Sequence, residues 1–142
     1  MKKIIKFIFL AVLIGLIISC YYYQKIESEF AVKVISIFQT GVYSSYEEAS
    51  NFSNSKNKIF YDGNLYHVYD SVVASNDAKE KMIKYYKNNN IEYFVKEKYV
   101  SLNLYDDILK YSKLIELSDN KSIELINKVM LEKYGDDIIW AI

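Results

Sequence analysis

After a cationic start, "MKKIIK", the chain carries one uncharged apolar run from Phe7 to about Tyr23, and beyond it apolar and polar positions alternate with shorter periods. The first run predicts a helix. Its seventeen residues would rise roughly 25 Å, the lower edge of what crosses a bilayer core. Val32–Tyr43, "VKVISIFQTGVY", is β-branched and aromatic, is bounded by Gly41, and reads as a strand. Ser45 followed by Glu48 matches a capping box, so a helix should run through Ala49 and Phe52 to about Ser55. "IFYDGNLYHVYD", Ile59–Asp70, then predicts a hairpin about Asp62-Gly63. With those two residues at the centre of a tight turn, Tyr61 pairs with Asn64, Phe60 with Leu65, Ile59 with Tyr66 and Lys58 with His67. That register places Ile59, Tyr66 and Val68 on one side and Phe60, Leu65, His67 and Tyr69 on the other. Asn76, as N-cap with Asp77 in the first turn, opens a second helix with Ala78, Met82, Tyr85 and Tyr86 on one stripe, ending at Asn88-Asn89-Asn90. Ile91–Val100 reads as a last strand.

The order strand, helix, strand, strand, helix, strand implies an α+β, ferredoxin-like βαββαβ fold, in which a four-stranded antiparallel sheet carries both helices on one face. After Val100 the periodicity is helical. Tyr105, Ile108, Tyr111, Ser112 and Ile115 form one stripe; Ile123, Ile126, Met130 and Tyr134 form another, separated by "SDNK" and closed by Gly135. The expected division is an anchor or signal peptide over 1–23, a tether over 24–31, the βαββαβ domain over 32–100 and a C-terminal helical pair over 101–142. Whether that pair packs beside the sheet or covers its second face decides what the face can bind.

Composition narrows the function. Net charge is zero over the whole chain, but Lys2, Lys3 and Lys6 precede the apolar run, leaving fifteen lysines against eighteen acids in residues 21–142. A domain with a net charge of minus three is a poor fit to nucleic acid. The leading lysines would hold the N-terminus in the cytoplasm and place the rest on the extracytoplasmic face. Ile17-Ile18-Ser19-Cys20 also fits a lipoprotein signal, with Cys20 as the lipidated residue, so an uncleaved anchor and a lipid anchor both stand. Cys20 is the sole cysteine, which excludes an internal disulfide. One histidine, no serine at a nucleophile elbow, no phosphate loop and no metal-ligand spacing argue against catalysis, a metal or a cofactor. The acid pairs Glu47-Glu48, Asp106-Asp107 and Asp136-Asp137 read as caps and solvated charge.

"FQTGVYSSYEEA", Phe38–Ala49, resembles the first strand and helix start of the SPOR domain, with Gln39, Gly41, Tyr43 and Ala49 at that family's Gln, Gly, aromatic and Ala places. In "YHVYDSVVASNDAKE", Tyr66, Val68 and Ala78 match its second half, while His67 stands for the family's Arg and Ser71 for its Gly. The likeness covers about Val32–Val100. It implies non-catalytic binding of peptidoglycan glycan strands, for localisation in division or sporulation, on the sheet face opposite the helices. Gln39, Phe60, His67, Tyr69 and Phe94 are then the candidate glycan contacts, since aromatic planes stack on sugar C–H faces while polar groups meet the hydroxyls. The rival reading is a membrane-tethered protein-interaction module whose C-terminal helices cover that face and present Tyr105, Leu114 or Ile138 and Trp140 to a protein partner.

Overall fold

The computed structural model describes residues 12–23, 32–53 and 57–140. The chain divides into two compact units, Met1–Ala31 and Val32–Ile142. In the first, residues 12–23 form helix α1, and their side chains are exposed. Among the described residues no helix is long and apolar enough to cross a membrane. Phe7 to Ala11 of the expected span and the tether over 24–31 lie outside the described residues.

The second unit follows the expected element order: β1 (Val32–Tyr43), α2 (Tyr46–Phe52), β2 (Lys58–Tyr61), β3 (Tyr66–Val73), α3 (Asn76–Asn88), β4 (Phe94–Ser101), α4 (Leu102–Leu117) and α5 (Asn120–Trp140). The strands form one antiparallel sheet in the order β2-β3-β1-β4. Ser45 caps α2 by accepting the Glu48 N–H at 3.2 Å. The second helix is capped one residue earlier than expected: Ser75, not Asn76, accepts the Ala78 N–H, at 3.3 Å.

The hairpin register differs by two residues from the tight-turn pairing. Phe60 lies opposite His67, Ile59 opposite Val68 and Tyr61 opposite Tyr66. The cause is the Asp62 carboxylate, whose Oδ1 accepts the N–H groups of both Asn64 and Leu65 at 2.9 Å and holds a longer loop, with Gly63 at φ +100°. A slip of two preserves side-chain parity, so Phe60, His67 and Tyr69 still share a face. Between β1 and β3 the pairing skips Thr40 and Asp70. Asn57 Nδ2 donates to both, at 3.5 and 3.1 Å, and Asp70 turns to accept the Tyr86 hydroxyl at 2.5 Å, leaving Tyr69 on the opposite face.

One face of the sheet, through Phe38 and Val73, packs on Ala78, Met82, Tyr85 and Tyr86 of α3, joined by Ile115 of α4 and Ile123 of α5. Phe38 stacks on Tyr86 at 5.1 Å, and Tyr86 on Tyr93 at 5.0 Å. The other face is covered as well. Ile35, Ile37, Tyr69, Val72 and Val100 pack directly against Ile108 of α4 and Met130, Leu131 and Ile138 of α5. Each fully buried aliphatic side chain here contributes about 1.5–3 kcal/mol of transfer free energy. Polar ties fix the helices in place. Ser112 Oγ, set within the apolar stripe of α4, accepts the Ala74 N–H at 2.9 Å, and Tyr105 donates to the Ala74 carbonyl at 3.1 Å. Ser71 donates to Asn127 at 2.9 Å, and Lys98 Nζ donates to the Ile139 carbonyl at 2.7 Å. The helix α5 continues through Gly135 rather than ending there; the glycine leaves room for the Lys58 side chain, whose Cγ would be 3.3 Å from an added Cβ, and Lys58 pairs with Asp136 at 2.9 Å.

If α4 and α5 belong to the core, Ile108→Ala should cost about 2–5 kcal/mol in chemical denaturation, while Leu117→Ala, at a side chain 88% exposed, should stay within about 0.5 kcal/mol.

Candidate functional site

The residues expected to meet a glycan are placed as follows. Gln39 and His67 are each 6% exposed; Tyr69, 7% exposed, packs in the cluster covered by the C-terminal helices, and Phe60 is half-buried against that cluster. Phe94 alone is open, at 60%. The structure does bring four of the five together. His67 Nδ1 faces Gln39 Oε1 at 2.9 Å, His67 Nε2 meets Asp62 Oδ2 at 2.6 Å, and Lys96 Nζ lies 3.4 Å from Nδ1. The Phe60 and His67 rings stack at 6.3 Å with 28° between planes, and Phe60 lies 6.1 Å from Tyr69. This is a polar knot, buried at Gln39 and His67 and open to solvent at Asp62, that ties three strands and the hairpin loop. Both ring nitrogens of the chain's single histidine are engaged inside the fold, and the aromatic planes beside it are turned inward.

Electrostatics fit a structural knot. The Leu65 N–H, the His67 side chain and the Asn64 N–H, in that order, hold the Asp62 carboxyl well below the ordinary carboxylate range. Burial, with a smaller effect from the Asp62 charge, pushes the Tyr69 hydroxyl up. Burial does the same for Tyr86, reinforced by Asp70.

An accessible row of aromatic side chains lies elsewhere, at the end of the sheet where β1 finishes. The corrected hairpin register puts Tyr61 opposite Tyr66, and Tyr66 in turn is opposite Tyr43, so three adjacent strands carry a row of tyrosines on one face. Tyr61 and Tyr66 rings are 4.7 Å apart. Helix α2 extends the row: Phe52 stacks on Tyr43 at 5.2 Å with only 12° between planes, and Tyr46 meets Tyr66 edge-on at 5.9 Å. Tyr46, Phe52 and Tyr61 are exposed. Gly41 makes the arrangement possible, because a Cβ there would collide with the Tyr43 ring that lies back over it. The tight-turn register conceals this ridge, since it opposes Tyr61 to Asn64 and Tyr66 to Ile59. Among the described residues no group of three or more His, Cys, Asp or Glu side chains is arranged to hold a metal ion. Cys20, the candidate lipidation site, is exposed on α1.

No family model, no curated protein and no solved structure matches this chain. The likeness to the SPOR domain therefore rests on the quoted residues alone.

The Asp62 geometry generates a pH prediction. Its folded pKa is depressed, so its stabilisation is present above the unfolded value of 3.8 and is lost as pH falls through the folded value. The wild-type chain should lose stability below about pH 4 more steeply than Asp62→Asn, which keeps an Oδ1 acceptor for the turn but no charge for His67. Parallel denaturation curves down the acid range would show that Asp62 is not linked to folding.

Proposed function

We propose that this chain is a membrane-tethered, non-catalytic interaction module displayed on the extracytoplasmic face, built on a ferredoxin-like sheet with both faces closed by its own helices. The observation that carries this reading is the packing of Ile108, Met130, Leu131 and Ile138 across Ile35, Ile37, Tyr69, Val72 and Val100. Tyr69 lies within that helix-covered cluster, and Gln39 and His67, each 6% exposed, are engaged with one another and with Asp62. The sheet face is then a scaffold, and binding belongs to the periphery. The engagement of His67 by Asp62 and Gln39 supports a non-catalytic role, since no free imidazole remains to move a proton. Of the partner-facing side chains expected on the helices, Leu114 is exposed, joined by Leu117, Leu125 and Val129; Ile138 is buried, Tyr105 is bonded to Ala74, and the Trp140 side chain lies outside the described part. Tethering, by an uncleaved apolar helix or by lipid on Cys20, keeps weak contacts effective by confining the module at the membrane surface.

A second reading, binding of peptidoglycan glycan strands, is favoured by one observation: the nearly parallel stack of exposed Phe52 on half-buried Tyr43, with exposed Tyr46 and Tyr61 beside it. Such planes suit sugar rings. On this reading the contact surface is the ridge and not Gln39, His67 and Tyr69.

Co-sedimentation of the detergent-solubilised full chain with purified sacculi, before and after amidase treatment, separates the two. The interaction module should show no retention above an unrelated membrane protein in either condition. Retention that rises once stem peptides are removed, and that Tyr46→Ala with Phe52→Ala abolishes, would replace the first reading by the second.

A further inference from the structure

Asp62-Gly63 is the one place in the chain where a glycine follows an aspartate or an asparagine. Such a pair carries a latent reaction. With no Cβ on the glycine to hinder it, the glycine amide nitrogen can attack the aspartate Cγ. The N–Cγ bond forms, the carboxyl C–OH bond breaks, and the hydroxyl leaves with the amide proton as water, closing a five-membered succinimide. A second water opens the ring at either carbonyl. One opening restores aspartate; the other gives isoaspartate, whose main chain runs through Cβ and Cγ. The step needs the carboxylic acid, because a carboxylate has no group to lose.

The loop gives this reaction access and withholds its reactive form. Asp62, Gly63 and Asn64 are exposed, and, its chain neighbours apart, nothing lies within 4 Å of the place a Gly63 Cβ would take. Asp62 Oδ1, however, accepts the N–H groups of Asn64 and Leu65 at 2.9 Å, and Oδ2 meets His67 Nε2 at 2.6 Å. All three bonds favour the carboxylate. The Leu65 N–H first, then His67, then the Asn64 N–H hold this carboxyl well below its ordinary range. Each unit of such depression cuts the acid form about tenfold at a given pH. His67 cannot drift from its post, since Gln39 Oε1 holds its other nitrogen at 2.9 Å and the Phe60 ring stacks on it.

We infer that Asp62-Gly63 is a covalent modification site, an isoaspartate-forming step that the folded hairpin holds closed, with His67 as its guard. The inference concerns the loop alone and stands apart from any partner of the module. Isoaspartate would lengthen the main chain by one carbon between Tyr61 and Gly63 and move the free carboxylate onto Cα, away from Asn64, Leu65 and His67. The Tyr61 hydroxyl donates to the Gly63 carbonyl at 2.7 Å, and Tyr61 lies opposite Tyr66, so the same change loosens one end of the aromatic row. An opening of the loop that lasts long enough to react thus becomes permanent.

The test incubates the full chain at about pH 5, native or held in denaturant, and measures isoaspartate at position 62 by peptide mapping with mass spectrometry. Formation should be at least about tenfold slower in the native chain, and His67→Gln, shown by circular dichroism to be folded, should gain about threefold or more over native wild type. Equal rates in native and denatured wild type overturn the inference. A folded His67→Gln that reacts no faster than wild type overturns the assignment of His67 as guard. Should His67→Gln fail to fold, the wild-type pH profile decides. A native rate that stays low until the knot is lost, below about pH 4, upholds the inference; a native rate that tracks the denatured one from about pH 4 to 7 overturns it.

Discussion

The constraint on which the rest of the structure depends is that the two central strands are apolar on both sides. In β1, Ile35, Ile37 and Phe38 are all fully buried; in β3, Val72 and Val73 are adjacent and both buried. A strand with neighbouring apolar side chains cannot leave one face in water without exposing aliphatic surface, so the sheet needs two covering layers. Helix α3 with Ile115 of α4 and Ile123 of α5 supplies one, and Ile108 of α4 with Met130, Leu131 and Ile138 of α5 the other. The long C-terminal helices are therefore part of the core and close the face that carries Tyr69 and Val72.

Sealing also explains the polar chemistry of the buried face. His67 and Gln39 would be costly to bury singly, but they satisfy each other, the exposed Asp62 carboxylate takes the other ring nitrogen, and among the described residues no buried side-chain nitrogen or oxygen lacks a partner. Ser71 and Asn127, and Ser112 with Ala74, do the same where the helices meet β3. These pairs fix the helical wall in register against the sheet, which greasy packing alone would leave loosely specified.

Much of this fold was legible in the sequence, and what was not has identifiable causes. The capping box at Ser45 and Glu48, the β-branched run Val32–Tyr43 and the stripes on α4 and α5 are local signals, and they set element order and sheet order. The hairpin pairing was misread because an Asp-Gly pair signals a two-residue turn, whereas the Asp62 side chain here closes a longer loop. Even step counts forgave that error for Phe60, His67 and Tyr69, but it hid the Tyr61–Tyr66–Tyr43 row. Which face α4 and α5 would take is a tertiary fact that helical periodicity does not contain. The one sequence hint was the adjacent apolar pairs Ile37-Phe38 and Val72-Val73, which alternation in a half-exposed sheet would not place together.

Native-state amide hydrogen exchange tests the two-walled core most directly. If α4 and α5 seal the sheet, the amides around Ile108–Ile115 and Asn127–Leu131 should exchange only through the same cooperative opening as Ile35–Phe38 of β1, with matching denaturant dependence. Exchange of both helices through local opening, far faster than β1, would mean that the wall is peripheral and that the face over Gln39, His67 and Tyr69 is open to a ligand after all.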